Sequence, residues 1–202
     1  MLIHRDVLAG VVQFNNQTRS PRSPEVLRHF WVTPDARWLM AANGRQIALG
    51  ELHPVTPAEE LRAAGKLLHG LSLSQAAKNA KSDITFVEIA FEEERAMYIP
   101  TRGEVSWAQS IEYMDGNFPD PIGIIEALPI EGALNVASRF AVDGPTGNRI
   151  MRAMKGGFWM FSRDKGTWFV SAAEGRTIGD LRILSLASFP ASQPHDIRSW
   201  RT

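Results

Sequence analysis

The side chains that most often carry out chemistry are few and scattered in this chain. The five histidines lie far apart, and none has an acid or a second histidine at metal-ligand spacing; they are His4, His29, His53, His69 and His195. There is no cysteine, and no nucleophile elbow, HExxH motif or kinase signature occurs. Although catalytic residues can assemble from distant positions without a motif, we expect a non-enzymatic protein with no metal and no cofactor.

Two short stretches are the nearest approaches to a ligand site. The segment DGPTGNR at Asp143–Arg149 is rich in glycine, but it lacks the Walker glycine spacing and the Lys-Ser/Thr ending of a phosphate loop. We interpret it as a loop between a helix and a strand. The acidic run Glu92–Glu94 is most simply a solvated hairpin turn rather than a metal site.

Composition narrows the class of protein. The chain has 202 residues, 44% hydrophobic and 22% charged, with a formal net charge of zero. A neutral chain excludes capture of nucleic acid or anionic membrane by overall charge and leaves a local basic face open. No apolar run is long enough to span a membrane, and Met1–Gly10 carries charges where a signal peptide needs an apolar core. We expect a cytoplasmic protein without a membrane partner.

The first set of elements is a helix followed by strands. Apolar spacing predicts a helix over His4–Phe14. Strands are predicted at Val26–Thr33, Trp38–Ala42 and Gln46–Leu52, and the dipeptide Asn43-Gly44 indicates a hairpin between the last two.

A second helix has the clearest start signal in the chain. Thr56 caps it, Pro57 suits its first position and Glu59 completes a capping box. Its apolar stripe is predicted to comprise Leu61, Ala64, Leu68 and Leu71, with a break near Leu71-Ser72. Strands are then expected at Ile84–Phe91, Ala96–Ile99 and, by alternation, Val105–Tyr113.

A third set repeats the order. A helix is predicted at Glu131–Ala141, and strands follow at Arg149–Met154, Phe158–Ser162, Trp168–Ala172 and Leu181–Ser188, before a loose tail. A helix followed by antiparallel strands thus recurs three times, which predicts an α+β fold with helices on one face of the sheets. We place a boundary near Pro129, so that 1–129 forms one domain and 130–202 a partial second one.

Two landmarks about seventy residues apart carry a family resemblance. They are MAANGRQIALGE at Met40–Glu51 and YMDGNFPDPIGII at Tyr113–Ile125. With HRDVLAGVVQF at the start, the pair resembles the bacterial DNA polymerase sliding clamp, the beta-clamp family. The resemblance covers Met1 to about Pro129; beyond it, only the pattern of elements is similar.

In clamps, these landmarks line a shallow apolar groove that binds short peptides of polymerases and repair proteins. The resemblance implies that the groove here comprises Gly44, Ile47, Pro119, Ile122 and Ile124. For the last three, an alternative as structural residues stays open, and for Phe118 we expect burial in the core. Gln46 departs from the family, which has a second basic residue there, and Pro121 replaces an aromatic.

Clamps also encircle duplex DNA with twelve helices whose basic side chains touch phosphates non-specifically. The resemblance implies DNA-facing roles for Arg5, Arg62, Lys66, Lys78, Lys81 and Arg139. The alternative is that these are ordinary solvated helix faces. With three helix units in each chain, four chains would supply a full set, which permits a homo-oligomeric ring. A clamp-like protein that closes no ring is equally open.

Two functions follow as hypotheses. The first is a clamp-like processivity or recruitment factor for DNA replication or repair, which binds partner peptides and encircles DNA. The second is a protein-interaction or regulatory module that keeps the clamp scaffold without tracking DNA.

Overall fold

The computed structural model of the chain describes residues 1–15, 24–43, 46–79, 84–100, 108–116, 118, 144–154, 158–163, 167–172 and 181–185. Within these ranges the elements form three units, each containing a helix followed by three strands. No helix among them is long and apolar enough to cross a membrane.

The first unit comprises residues 2–51. Strand β1 (Leu2–His4) leads directly into α1 (Arg5–Val11), where His4 Nδ1 accepts a hydrogen bond from the Asp6 amide and caps the helix. A single 3-10 turn extends α1 to Phe14. A second 3-10 turn precedes three strands, which are β2 (His29–Val32), β3 (Trp38–Ala42) and β4 (Gln46–Glu51).

The second unit repeats this order after a short connecting helix. That helix, α2 (Pro57–Ala63), has Thr56 Oγ1 accepting from the Glu59 amide, which confirms the predicted cap. The unit itself consists of β5 (Lys66–His69), α3 (Gly70–Asn79), β6 (Phe86–Phe91), β7 (Arg95–Pro100) and β8 (Gln109–Asp115).

The third unit comprises α4 (Gly144–Met154), β9 (Phe158–Arg163), β10 (Thr167–Ala172) and β11 (Leu181–Ser185). All strands of the described residues join in one antiparallel sheet, ordered β1-β6-β7-β8-β5-β2-β3-β4-β11-β10-β9. The third unit enters this sheet through β11, which pairs with β4 from Leu181↔Gly50 to Ser185↔Gln46. The chain's own last unit therefore covers the edge of β4.

Three helices lie side by side on one face of the sheet, with α1 between α3 and α4. We call α1, α3 and α4 the helix layer. Their apolar side chains and one face of the strands form the main core; the helix residues in it are Val7, Leu8 and Val11 of α1, Leu73 and Ala76 of α3, and Ile150 and Ala153 of α4. The predicted α+β architecture with helices on one sheet face is confirmed.

Glycine makes the close packing around α1 possible. A Cβ on Gly10 would lie 2.4 Å from Leu181 Cδ2 and 3.1 Å from the Ala153 carbonyl oxygen. A Cβ on Gly50 of β4 would lie 2.7 Å from side-chain atoms of both Val7 and Val11. These two positions let α1 approach the third unit on one side and its own sheet on the other.

The predicted long second helix is wrong. It ends at Ala63, because Gly65 adopts a positive φ of 73° and donates its amide to the Val32 carbonyl, which turns the chain into β5. The predicted apolar stripe is therefore split among elements: Leu68 is buried in β5, whereas Leu61 is 81% exposed on α2.

The strand predicted at Arg149–Met154 is also wrong, as is the loop predicted over Asp143–Arg149 for its described residues, 144–149. Both belong to α4, in which Ile150 and Ala153 are buried while Met151 and Arg152 are exposed. A spacing of three residues between buried positions is typical of a helix. The glycine and proline at the start of the segment favoured a loop instead. The helix predicted at Glu131–Ala141 and the tail lie outside the described residues.

Candidate functional site

The sheet face opposite the helix layer carries a second apolar cluster. Along β2 to β5, alternate residues point away from the main core, and they are as apolar as their neighbours. We call this group the outer-face cluster; it comprises Trp31, Met40, Ala42, Ile47, Leu49, Leu67 and Phe118, with Val26, Leu27 and Trp38 packed against it. Strands that are apolar on both faces need a cover on both.

Phe118 supplies part of that cover. Its ring stacks on the Trp31 indole with centroids 5.7 Å apart and planes 13° from parallel, and Phe118 is 6% exposed. Gly116 helps the chain come close, since a Cβ there would lie 2.2 Å from Leu67 Cδ1. The predicted burial of Phe118 is confirmed, but it occurs in the outer-face cluster rather than in the main core.

The Trp31 indole holds a polar group without a partner. Trp31 is 5% exposed, and in the described part of the chain no acceptor lies within hydrogen-bonding distance of its Nε1. A buried donor that has lost water and gained no acceptor is unfavourable by about 1–3 kcal/mol. The cluster therefore contains one specific site at which an acceptor would stabilise it.

Of the predicted groove residues, Ile47 belongs to the outer-face cluster and is buried there. Gly44, Pro119, Ile122 and Ile124 lie outside the described residues. The hairpin that carries Ile47 is fixed by Asn43, whose Oδ1 accepts from the Gln46 amide and whose Nδ2 donates to Gln46 Oε1, each at 2.9 Å.

Arg149 also contacts this hairpin, which the sequence did not indicate. Its Nη1 donates to Gln46 Oε1 at 2.9 Å, and its guanidinium lies 6.0 Å from the centre of the Phe14 ring. The misassigned strand at Arg149 hid this contact, because only a helix brings residue 149 over the end of α1.

The helix layer carries an uneven charge. Within α1, α3 and α4 the cations are Arg5, Lys78, Arg149 and Arg152, and Asp6 is the only acid. Lys78 and Arg152 are exposed, and Asp6 already pairs with Arg5 at 2.9 Å. A layer with four cations and one acid, in a chain of zero net charge, is a local basic face.

The other predicted DNA-facing residues lie elsewhere. Arg62 is exposed on α2, which packs on β6. Lys66 begins a strand, not a helix as predicted; its ammonium pairs with Asp115 and lies 5.2 Å from the centre of the Tyr113 ring. Lys81 and Arg139 lie outside the described residues.

The His, Asp and Glu side chains of the described residues are spread over separate elements. No group of three or more His, Asp or Glu side chains there is placed to hold a metal. Glu92–Glu94 form the exposed turn between β6 and β7, where Arg95 pairs with Glu92 at 3.0 Å. Burial raises the pKa of Tyr98 to about 12, against the opposing effect of the Arg5 charge.

Comparison with solved structures identifies the fold as that of the bacterial DNA polymerase III beta sliding clamp. The beta subunit of Borrelia burgdorferi matches with a TM-score of 0.59 at 10% identity, over 92% of this chain and 62% of that one. The H. pylori beta clamp gives 0.57 at 10% identity over 91% and 65%, and the beta chain of Streptococcus pneumoniae gives 0.52 at 13% identity over 92% and 63%.

The chain spans just under two thirds of the length of these clamps. No protein-family model and no curated protein matches it. The predicted clamp resemblance is confirmed at the level of a divergent clamp-like fold.

Proposed function

We propose that the chain is a non-enzymatic, sliding-clamp-like processivity or recruitment factor of DNA replication or repair in the cytoplasm. It binds duplex DNA non-specifically through the helix layer and partner peptides through the outer-face cluster. The observation that carries the proposal is the charge of the helix layer, where four cations face one acid that is already paired.

The DNA contact is made mainly by the two exposed cations of the layer, Lys78 and Arg152. Phosphate contacts need no fixed partner geometry, which suits side chains that project from helices without hydrogen-bond networks. Arg5 is paired with Asp6, and the pair adds no net charge to the layer. Lys66 takes no part in this contact, because its ammonium is engaged by Asp115 and Tyr113.

The peptide contact is made on the opposite face of the sheet. Ile47 provides the described part of the groove, and we propose Gly44, Pro119, Ile122 and Ile124 as its remaining residues. Residues 1–129 form the domain that carries the groove, and residues 130–202 form a partial second domain. A peptide bound there would lie on the face away from DNA, so both ligands can bind together.

We propose that copies of the chain assemble into a ring around DNA. The helix layer contains three helices, so four chains would supply the twelve implied by the clamp resemblance. Light scattering of the native protein at several concentrations, without DNA, measures the assembly. A stable tetramer supports the ring, and a monomer at every concentration contradicts it.

A second function has one observation in its favour. The edge of β4 is already paired with β11 of the same chain, so no other copy can extend the sheet there. With β4 covered, another copy could extend the described sheet only at its end strands, β1 and β9. A chain that stays a monomer suits an interaction or regulatory module that binds peptides without tracking DNA. Retention of partner peptides by a monomer that has no affinity for duplex DNA would favour this function over the ring.

A further inference from the structure

Phe118 and Trp31 form a contact that a ligand can imitate. We propose that Phe118 fills a binding site for an aromatic side chain of a partner peptide. This site, which we call the seat, is the apolar face of the Trp31 indole. The peptide would displace Phe118 and bring a carbonyl or carboxylate oxygen to the Trp31 indole N–H. The inference deepens the proposed peptide-binding function, on which it rests, because it assigns the chemistry of the ligand and the group that keeps the site closed.

The chemistry of the seat selects the ligand. The side chains around Trp31 in the cluster are apolar, among them Met40, Leu49 and Leu67, so the seat accepts an apolar ring and no charged group beside it. The near-parallel stack of Phe118 shows that a planar ring fits on the indole. Met40 is flexible enough to adapt to a ring of different size.

When Phe118 is stacked on Trp31, one polar group of the cluster lacks a hydrogen-bond partner. The Trp31 N–H is buried without an acceptor among the described residues, and the Phe118 ring offers none. A peptide backbone presents a carbonyl within a few ångströms of every side chain. A peptide aromatic that is not tied to β8 can therefore fill the apolar seat and also bring an acceptor to the donor, whereas Phe118, whose backbone places no acceptor at the Trp31 N–H, fills only the seat.

Phe118 is also placed so that it can leave. Strand β8 ends at Asp115, so Phe118 lies three residues beyond the last strand pairing, Lys66↔Asp115. Withdrawal of its side chain from Trp31 breaks no hydrogen bond of the described sheet. Among the described contacts, opening costs the stack and apolar burial, which an incoming ring recovers.

The test removes the Phe118 ring by mutation and adds a peptide that carries its own aromatic ring. The probe is a fluorescently labelled peptide that copies residues 115–121, DGNFPDP, and the control peptide has alanine in place of its phenylalanine. Fluorescence anisotropy should show that Phe118→Ala binds the probe about tenfold or more tightly than the wild type does. Phe118→Leu keeps the seat filled, so it should bind the probe no better than the wild type.

A second readout reports the hydrogen bond itself. The Trp31 indole N–H resonance, assigned by its loss in Trp31→Phe, should shift downfield when the probe binds Phe118→Ala. If Phe118→Ala does not fold, Phe118→Val opens the seat partly and should give an intermediate affinity. Equal binding of the probe to wild type and Phe118→Ala, equal binding of the alanine peptide, or an unmoved Trp31 resonance overturns the inference.

These outcomes are separate from those of the proposed function. Loss of probe binding by the opened variant leaves the affinity of the helix layer for DNA untouched. Absence of DNA binding, conversely, leaves the seat on Trp31 intact.

Discussion

The Arg149 guanidinium donates a 2.9 Å hydrogen bond to Gln46 Oε1, across 103 positions of sequence. This bond joins the third unit to the first beside the pairing of β11 with β4. Gln46 is 3% exposed, and its Oε1 also accepts from Asn43 Nδ2. Gln46 stands where clamps have the second residue of a basic pair. At this position the chain thus receives a cation, Arg149, from its own third unit.

Gln46→Arg should weaken the attachment of the third unit. The change removes the acceptor and sets two guanidinium groups against each other in a buried position, so we expect the free energy of unfolding to fall by about 1–3 kcal/mol or more. Urea denaturation measures it. The exchange variant, Gln46→Arg with Arg149→Gln, restores one donor and one acceptor and should recover part of the loss. Equal stability of Gln46→Arg and the wild type would show that this contact does not hold the unit.

Two glycines at the ends of β5 should respond very differently to alanine. At Gly70 a Cβ would lie 1.7 Å from the Arg28 carbonyl oxygen, a backbone atom that cannot move away, so we expect Gly70→Ala to cost about 3 kcal/mol or more. At Gly65 nothing lies within 4 Å of a Cβ, and only the positive φ is strained, so the cost should be about 1–2 kcal/mol. Thermal and urea unfolding of the two variants check the order. A larger loss at Gly65 would contradict the packing of α3 against the start of β2.

Tyr98 should make the fold sensitive to alkaline pH. Its pKa is about 12 in the folded chain against 10.0 for the free side chain, because burial disfavours the phenolate. Because folding raises this pKa, the contribution of the neutral Tyr98 side chain to the free energy of unfolding is fully present below pH 10. It is lost as the pH rises towards 12, by roughly 2–3 kcal/mol in total. Tyr98→Phe removes the titrating group, so its stability should fall less over that range. Parallel pH profiles of the two proteins would refute the assignment.

Much of the fold could be predicted from local patterns. The strands around Asn43 follow from apolar residues beside a hairpin dipeptide, and the start of α2 follows from Thr56 and Pro57. The predicted burial of Phe118 is also confirmed, although its stacking partner is distant in sequence. For these strands and for the start of α2, the deciding interactions lie within a few residues of sequence.

The wrong predictions lie where contacts that are distant in sequence determine the secondary structure. Residues Lys66–His69 continue a helical pattern. The positive φ of Gly65 and pairing with β2 on one side and β8 on the other make them a strand. The helical state of Arg149 depends on packing of Ile150 and Ala153 in the main core, where α4 lies against α1 and the 3-10 turn that follows it. No local pattern indicates that Phe118 stacks on a tryptophan 87 positions earlier.

The affinity for duplex DNA tests the central claim, that the helix layer faces DNA. Binding of a labelled duplex should weaken steeply with salt, and Lys78→Glu with Arg152→Glu should reduce the affinity about tenfold or more and lower the salt slope by about two. The matched control, Arg37→Glu with Arg95→Glu, makes the same change of net charge at two exposed positions outside the layer and should change the affinity by about twofold at most. No binding by the wild type, or equal loss in both double variants, would contradict the account.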